Sequence, residues 1–521
     1  GNTGINVVLL PWLKFTGRAG IDFYTLRMQE RMAIGSQAQS YYQEDIRTVS
    51  ERNLESFFTI AKRFANDHLG MNAILGANRM DRMTERSGGL TSGGLVIPEL
   101  FTLQNSLNAA TIFDNTTKKR INSLYANVSF DYNYMLYLDA TIRNDHSSTL
   151  AGDNRSYLYP SVSMSFILSE LEALRDSKLF SFAKLRAGYA EVGNDTDPYE
   201  LLTYYTIGVP FGGNPMLNVP TTLPAGLGLM PERTKSWEIG AEFKFLQNRL
   251  GMELSLYNKK TINQIIPIQV SGTTGVGSFK INSGSMTNKG FEGLFTGTPV
   301  KMKNFRWDIM VNFATLNNTV DELSDDYNLN YLSLQNAPFR VQIGAFVGET
   351  YPIIYGTDFV YDDNGNKIIG TNGQYASTPI KPLGKVTPDF NGGITNTFTY
   401  KGFDFSFLID MQKGGNMYYL SHVWGMYSGI LEETAQLNDK GINIREPVAD
   451  GGGILLEGVI GKYDAEKGFV YLDASGAEVA SPVANEKYVS GLSWAARHYN
   501  GPDAQNVFST DYFKLREVRI G

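Results

Sequence analysis

The sequence predicts an all-β protein, and within that class a transmembrane antiparallel β-barrel. Three observations predict it: runs of about ten residues alternate apolar with polar positions, tight turns alternate with long polar loops, and the composition suits strands and turns. Of the 521 residues, 12% are aromatic, 19% are charged and 53 are glycine. Many aromatic residues and glycines with few charges are typical of β-rich chains with many turns.

The alternation is clearest in residues 124–131 and 136–143. Apolar residues occupy every second position of both runs, so each run has one apolar and one polar face. Residues 132–135 separate the two runs, which therefore predict a hairpin. The same pattern recurs at 13–23, 236–245, 252–257, 306–313 and 403–410.

Residues 51–86 fit two structures. They form an amphipathic helix pair in one interpretation, and in the other two strands joined at residues 65–70. Periodicity alone does not decide between them.

The connections between the runs are of two lengths. Tight turns are predicted near 132–135, 246–251, 301–304 and 400–402. Long polar loops are predicted at roughly 144–157, 193–232, 259–288, 317–388 and 411–508. Short turns at one end of the strands and long loops at the other are typical of outer-membrane barrels. A large soluble β fold is the alternative.

The two folds differ in what covers the apolar face. In a membrane barrel lipid covers it, whereas a soluble sandwich buries it against a second sheet. The barrel therefore predicts that Phe130, Leu138, Phe243, Ile309 and Phe405 do not lie in a dry protein interior.

Composition excludes several kinds of site. The chain has no cysteine, which excludes disulfides, thiolate zinc sites, iron–sulfur clusters and cysteine nucleophiles. The four histidines show no metal-ligand spacing, so we expect no metal and no cofactor. The net charge of −7 argues against nucleic-acid binding. Apolar stretches such as residues 7–10 are far shorter than the ~20 residues of a spanning helix.

Five ordered stretches carry a family resemblance: residues 185–195 (LRAGYAEVGND), 231–265, 288–293 (NKGFEG), 387–415 and 512–521 (YFKLREVRIG). Together they resemble the SusC/RagA family of TonB-dependent outer-membrane transporters of Bacteroidota, from about residue 12 to the end. The resemblance implies a barrel of about 22 strands filled by an N-terminal plug. It also favours the strand hairpin for residues 51–86.

The chain departs from the full family pattern at both ends. Residues 1–15 and 512–521 look like strands, and we find no plug, no TonB box and no closing strands. We therefore interpret residues 1–521 as part of the barrel domain, covering its middle-to-late strands.

The resemblance also implies a function. Such proteins import oligosaccharides or oligopeptides into the periplasm beneath a SusD-like surface lipoprotein that acts as a lid, and TonB supplies the energy. They act without covalent chemistry and often form pairs of barrel–lid units. The alternative is a soluble or surface-anchored β-rich glycan-binding protein without transport, which would need no detergent for purification.

Two sets of aromatic residues are candidates for contacts outside the protein. Aromatic residues at strand ends would form girdles at the lipid–water interfaces. The candidates are Trp12, Phe23, Trp237, Tyr257, Trp307 and Tyr400. Aromatic residues in the long loops would stack on sugar rings, and these are Tyr418, Tyr419, Trp424, Tyr427, Trp494 and Tyr499. Ordinary packing is the alternative for each.

Other motifs have simpler interpretations. Residues 361–367 (YDDNGNK) resemble part of a calcium loop, but Asn-Gly between extended runs favours a hairpin, and residues 471–479 predict a second one. The pairs Asp404/Asp410 and Asp325/Asp326 suggest glycoside hydrolysis only if their carboxylates face each other. Carboxylates are common on polar strand faces, so we expect no catalysis.

Overall fold

The computed structural model describes residues 1–521 except 209, 221, 224, 225, 227, 325–327 and 338–340. The chain forms two compact units. The first consists of Gly1–Gln247 and Lys259–Gly284, and the second of Asn248–Asn258 and Ser285–Gly521. None of the helices in the described ranges is long and apolar enough to cross a bilayer.

The first unit is built on an antiparallel sheet in which β1 to β8 pair in chain order and β8 then pairs with β12. Its elements are β1 (Asn2–Leu10), β2 (Leu13–Met32), β3 (Tyr41–Phe64), β4 (Leu69–Leu95), β5 (Ser106–Tyr132), β6 (Leu136–Ser147), β7 (Ser156–Ile167), α1 (Glu172–Arg175), β8 (Phe180–Asn194), β9 (Thr206–Ile207), β10 (Leu217–Asn218), β11 (Thr222–Leu223) and β12 (Glu232–Phe245). After β13 (Leu250–Ile262), which belongs to both units, the first unit adds β14 (Ile265–Gln269) and β15 (Ser278–Asn282).

The second unit continues the hairpin pattern and adds folded connections between the long strands. Its elements are β16 (Ser285–Lys301), β17 (Phe305–Glu322), β18 (Tyr331–Asn336), β19 (Gln342–Phe346), β20 (Ile353–Phe359), β21 (Ile368–Ile369), β22 (Ser377–Lys385), β23 (Phe390–Tyr400), β24 (Phe403–Lys413), β25 (Asn416–Tyr418), α2 (Leu420–Ser428), β26 (Ile454–Leu455), β27 (Val459–Asp464), β28 (Gly468–Tyr471), β29 (Tyr488–Val489), α3 (Gly491–Asn500), β30 (Val507–Ser509) and β31 (Tyr512–Ile520). The long strands pair in the order β16, β17, β23, β24, β31.

The segment with two interpretations is a hairpin. β3 and β4 pair in continuous register from Phe64–Leu69 to Gln43–Leu90, so the helix pair is wrong. The reversal is possible because Ala65, Asn66 and Asp67 all adopt positive φ. The predicted tight turns are confirmed in the same way, since β5 and β6, β12 and β13, β16 and β17, and β23 and β24 are joined by short connections.

One connection differs from the prediction of short turns. Residues 168–179 join β7 to β8 through a 3₁₀ turn and the short helix α1. These residues follow the C-terminal end of β7, whereas the predicted long loop at 144–157 precedes its N-terminal end. The alternation of short and long connections therefore predicts a tight turn here. The segment carries a mixed run of apolar and charged residues without glycine, which gave no turn signal.

The apolar strand face is exposed, as the barrel predicts. Phe130, Leu138 and Phe405 keep 38%, 42% and 41% of their surface accessible. Phe243 and Ile309 are half-buried by their strand neighbours. No second protein layer covers these side chains within the described residues, so the soluble sandwich arrangement is wrong for them.

The connections of the second unit have an apolar core of their own. β21 pairs in parallel with β27, and β27 pairs with β28. Ile369, Leu456 and Val489 pack together and are almost completely buried. The connections that include residues 353–385 and 414–511 therefore fold as structured segments.

Two glycines of the first unit differ in what faces them. The ring of Tyr125 lies over Gly76, and its hydroxyl donates to Glu55 Oε1 at 2.7 Å. A Cβ on Gly76 would lie 2.4 Å from Cζ of Tyr125, whereas a Cβ on Gly188 would lie 3.6 Å from its nearest neighbour, Cβ of Ser163. Only the first position therefore needs to be glycine for packing.

We expect Gly76→Ala to lower the free energy of unfolding by about 1–3 kcal/mol, because the Tyr125 ring has to move and its hydrogen bond to Glu55 is lost. Guanidinium titration of the full-length protein in detergent measures this. Gly188→Ala is the matched control, since it also places alanine inside a strand. Equal losses in the two variants would contradict the role given to the Tyr125 ring.

Candidate functional site

The predicted girdle residues occupy two levels along their strands. Trp12 lies in the tight turn between β1 and β2, and Trp307 and Tyr400 lie next to the tight turns of the second unit. Phe23 and Trp237 lie about ten residues from the tight-turn ends of β2 and β12, which is one membrane crossing. Phe23 is 72% exposed and Trp237 is 44% exposed. These positions suit two interfaces, and lipid contact stays a prediction.

Tyr257 differs from the other five candidates. It shares the polar face of β13 with Glu253 and Ser255, and its ring lies over Gly290. This placement favours a packing role on the side of the sheet that carries polar groups.

The aromatic residues near the β23–β24 turn form a layer on the apolar face. The ring of Trp307 stacks on Phe398 at 5.8 Å, and Phe398 lies 6.3 Å from Phe405. Trp307 Nε1–H donates to Oδ1 of the buried Asn396 at 3.0 Å, so the indole N–H and this amide oxygen are paired beneath the rings. The layer thus presents ring surface outward and keeps its polar atoms paired.

The polar strand face of the first unit holds paired charges. Asp45 is 2% exposed, and its Oδ2 accepts from Arg47 Nη2 and Arg86 Nη2 at 2.8 Å each. Arg63 Nη2 binds Asp131 Oδ2 at 2.9 Å. Such pairs would be costly in hydrocarbon, and their face is therefore the one suited to a wet or protein-filled interior.

Three of the six predicted loop aromatics come together on two helices. Trp424 and Tyr427 lie on α2, and Tyr499 lies on α3. Their ring centroids are 6.0 Å apart for Trp424–Tyr427, 5.7 Å for Tyr427–Tyr499 and 6.3 Å for Trp424–Tyr499. Trp424 and Tyr427 are 44% and 49% exposed. This group, which we call the three-ring cluster, offers accessible aromatic faces to a ligand.

The other three loop aromatics lie elsewhere. Tyr418 belongs to the short strand β25, and Tyr419 packs its ring 6.0 Å from Phe508. Trp494 packs on the core of Ile369, Leu456 and Val489. Trp494 therefore contributes to the loop core.

Two histidines that the sequence left unconnected meet in this segment. His422 on α2 and His498 on α3 have ring centroids 5.2 Å apart. The Nδ1 atoms of both rings lie 3.0 Å from Oδ1 of the fully buried Asn506. Asn506 Nδ2 also donates to the His498 carbonyl, so this amide connects the elements that carry the three-ring cluster.

Burial lowers the pKa of His498 below its ordinary value of 6.5, and the neighbouring His422 lowers it further. The hydrogen bond to Asn506 and the charge of Glu433 act in the opposite direction but do not cancel the effect. His498 is therefore neutral at neutral pH.

Sequence reasoning missed an exposed apolar hairpin in the first unit. β9 and β10 pair, and Phe211 lies in the turn segment between them. Ile207, Phe211 and Leu217 are 86%, 79% and 62% exposed. The signal available was the uncharged run at residues 201–213, which is unusual inside a polar loop.

The two acidic hairpins are turns held by their own aspartates. Asp362 Oδ1 accepts from the backbone N–H groups of Asn364 and Asn366, and Oδ2 accepts from the Tyr471 hydroxyl at 3.0 Å. Asp473 makes the equivalent bonds to Ser475 and Ala477. The predicted hairpins are confirmed, and the described residues contain no group of three or more metal-ligating side chains.

Asp404 and Asp410 do not form a hydrolase site. Asp404 and Asp410 lie on the same strand, β24, about 20 Å apart along it at the usual rise per residue. Glycosidases need about 5–9.5 Å between their two carboxyl groups. Asp410 instead accepts from the Tyr512 hydroxyl at 3.1 Å. Asp325 and Asp326 lie outside the described residues.

Curated relatives are similar over much of this chain. TonB-dependent receptor P3 of Formosa agariphila is 25% identical over 409 residues, which cover 74% of this chain and 40% of the relative. TonB-dependent receptor SusC of Bacteroides thetaiotaomicron is 26% identical over 321 residues, covering 58% of this chain and 32% of SusC. The chain thus spans less than half the length of these relatives.

Solved structures share the fold. The RagAB peptide importer in the 'closed-closed' state matches 100% of this chain and 54% of its own chain with a TM-score of 0.74 and 17% identity. A second structure, of the RagAB peptide transporter, matches with a TM-score of 0.72 and 16% identity. A family model described as "TonB dependent receptor-like, beta-barrel" matches residues 10–432, and the chain therefore belongs to this family of outer-membrane barrels.

Proposed function

We propose that this protein is an outer-membrane importer of oligosaccharides or oligopeptides. A surface lipoprotein lid closes its mouth, and TonB energises passage of the bound oligomer to the periplasm. The chain supplies strands of the barrel wall and loops of the mouth, and it performs no covalent chemistry on the cargo.

The exposed apolar strand face is the observation that carries this proposal. Phe130, Leu138 and Phe405 are accessible on strands whose opposite face carries paired charges. A soluble glycan-binding protein has to bury such a face, whereas a barrel presents it to lipid. Family membership supports the same placement, because the matched family consists of TonB-dependent receptor barrels.

The three-ring cluster supports capture of an oligomer at the loops. Exposed aromatic faces stack on the apolar faces of sugar rings and also accept peptide side chains. Sugars are one cargo class consistent with this surface. Peptides are the other, and the RagAB structures that the chain resembles are of a peptide importer.

The apolar hairpin at 206–218 supports contact with the lid. Ile207 and Phe211 leave most of their surface uncovered, and a large apolar surface in a loop is typical of a protein contact. In this proposal the lid lipoprotein packs on the hairpin, and two barrel–lid units form the pair that the family resemblance implies.

Uptake in cells tests the proposed function. A strain that lacks this protein should lose uptake of one oligosaccharide or oligopeptide from a defined panel, and the restored gene should return it. Inactivation of TonB should abolish that uptake while binding to the cell surface persists. Uptake that is unchanged in both strains contradicts import, and purification without detergent would favour the soluble alternative.

We expect Trp424→Ala, Tyr427→Ala and Tyr499→Ala each to lower affinity for the transported oligomer about tenfold, because each removes a stacking face. Calorimetric titration of the full-length complex with the oligomer identified by uptake measures this. Tyr463→Ala is the control, since Tyr463 is a 37% exposed tyrosine on β27. Unchanged affinity in all three variants would show that the three-ring cluster does not bind the oligomer.

Acidification should loosen the helices that carry the cluster. Because folded His498 has a pKa below 6.5, the unfolded segment binds a proton more readily than the folded one. The stabilisation of the folded segment that depends on neutral His498 is therefore present at neutral pH and is lost as pH falls below about 6.5. Hydrogen exchange of the α2 and α3 amides, corrected for intrinsic rates, should show less protection at about pH 5.5 than at about pH 7.5.

The control is His498→Gln, because a glutamine side chain does not titrate and has an N–H group that can donate to Asn506. This variant should show a smaller loss of protection between the two pH values. The same loss in the variant and in the unaltered protein would show that another group controls the segment.

A further inference from the structure

On the outward strand face of the first unit, a group of charged residues follows the apolar residues along the strands. On β4, Leu75 and Ala77 are followed on the same face by Arg79 and Asp81. The strand register places Arg52 of β3 opposite Asp81, and Asp81 opposite Arg120 of β5. Lys118 occupies the next position of this face on β5. We call Arg52, Arg79, Asp81, Lys118 and Arg120 the basic patch.

The basic patch lies one membrane crossing from the tight turns. Arg79 and Arg120 are each about ten residues from the β3–β4 or β5–β6 turn, and ten tilted strand residues span about 25 Å. Met71, Leu75 and Leu124 share the face between the turn and the patch. The patch therefore lies where the strands leave the hydrocarbon on the side of the long loops.

The charges of the patch do not balance. Asp81 Oδ2 accepts from Arg79 Nε at 2.7 Å, and Asp81 Oδ1 accepts from Arg120 Nε at 2.5 Å. Among the described residues, no carboxylate lies within ion-pair distance of Arg52 or Lys118, and Glu85 on the same face makes no ion pair with the patch. Four cations therefore share one carboxylate. Neither of the two hydrogen bonds uses the terminal guanidinium nitrogens of Arg79 and Arg120.

These residues line a cleft of about 390 Å³. The side chains of Arg79 and Arg120 are 47% and 50% exposed. Asp81 holds both guanidinium groups through Nε, which orients the remaining N–H donors without neutralising the patch. Guanidinium groups with free N–H pairs match phosphate oxygens in geometry.

A groove continues from the cleft toward the tight turns. It consists of two adjoining hollows of about 790 and 480 Å³, which share Ser56, Ala77, Leu124 and Asn144. Asn122 and His146 add polar groups to the first hollow, and the second is lined mainly by apolar side chains. Arg79 lines both the first hollow and the basic cleft. Small residues form the floor of this groove at Gly17, Ala19, Ser56, Ala77 and Ala126. Its walls include Leu54, Leu75, Leu124, Ile142 and Leu158.

We propose that this surface binds a membrane lipid with a phosphate-monoester headgroup. The phosphate lies between Arg52, Arg79, Lys118 and Arg120, and an acyl chain lies in the groove below. The dianionic phosphate neutralises the surplus charge, and the reduced dielectric at the membrane surface strengthens each contact. The proposal rests on the membrane placement of these strands and does not depend on which oligomer is imported.

Native mass spectrometry of the detergent-solubilised full-length protein tests it, with phosphatidic acid as the probe and phosphatidylcholine as the zwitterionic reference. Phosphatidic acid should bind at least about tenfold more tightly than phosphatidylcholine. The double variant Arg52→Gln/Lys118→Gln should lose most of this preference. Neither residue has an ion pair to lose in the described structure, so the fold should be retained.

Two controls make the result specific. Lys62→Gln removes a cation from the same face of β3 near the tight turn and should leave the preference unchanged. Ala77→Phe fills the groove and leaves the basic patch intact. This variant should bind phosphatidic acid more weakly than the unaltered protein.

Three results would overturn the proposal: no preference for phosphatidic acid in the unaltered protein, an unchanged preference in the double variant, or displacement of the lipid by inorganic phosphate at comparable concentration, which would indicate a site for free phosphate. Oligomer uptake measured on the same variants keeps this outcome separate from failure of the proposed import function.

Discussion

Backbone hydrogen bonding is the constraint on which this structure depends. A strand in hydrocarbon has no water to satisfy its N–H and C=O groups, so each must pair with a neighbouring strand. The continuous register between β3 and β4, over more than twenty residue pairs, meets this requirement without a break. Once the strands are paired, successive side chains of each strand point to opposite faces of the sheet. The chemistry of each face therefore depends on which residues occupy alternate positions.

The two directions have different energetic demands. On the apolar face, polar atoms have to be paired inside the layer, as the Trp307–Asn396 hydrogen bond shows. On the polar face, the buried carboxylate of Asp45 is tolerable because two arginines accompany it. A shift of one residue in any register would exchange these faces, so the ion pairs and the aromatic layer together oppose slippage.

The sequence predicted the features that are local and periodic. Alternation at 124–131 and 136–143 located a hairpin, and the four residues between the runs located its reversal. For residues 51–86 periodicity was insufficient, and the family resemblance was needed to choose strands. The connection at 168–179 was missed because it lacks the glycine and asparagine signals of the other turns.

The candidate site was predicted only in part, for a related reason. Residue type marked Trp424, Tyr427 and Tyr499 as aromatic loop residues, but nothing local indicated that they form one cluster while Trp494 joins a core. The contact of His422 with His498 joins segments far apart in sequence, through an asparagine on a third element. Such packing depends on the whole connection and leaves no pattern within a short window.

The independent core of the long connections has an evolutionary consequence. Ile369, Leu456 and Val489 pack against one another, so these segments carry an apolar core that is separate from the strand ladders. Exchange of such a segment between related genes would carry its apolar core along with its surface and would leave the sequence of the long strands unchanged.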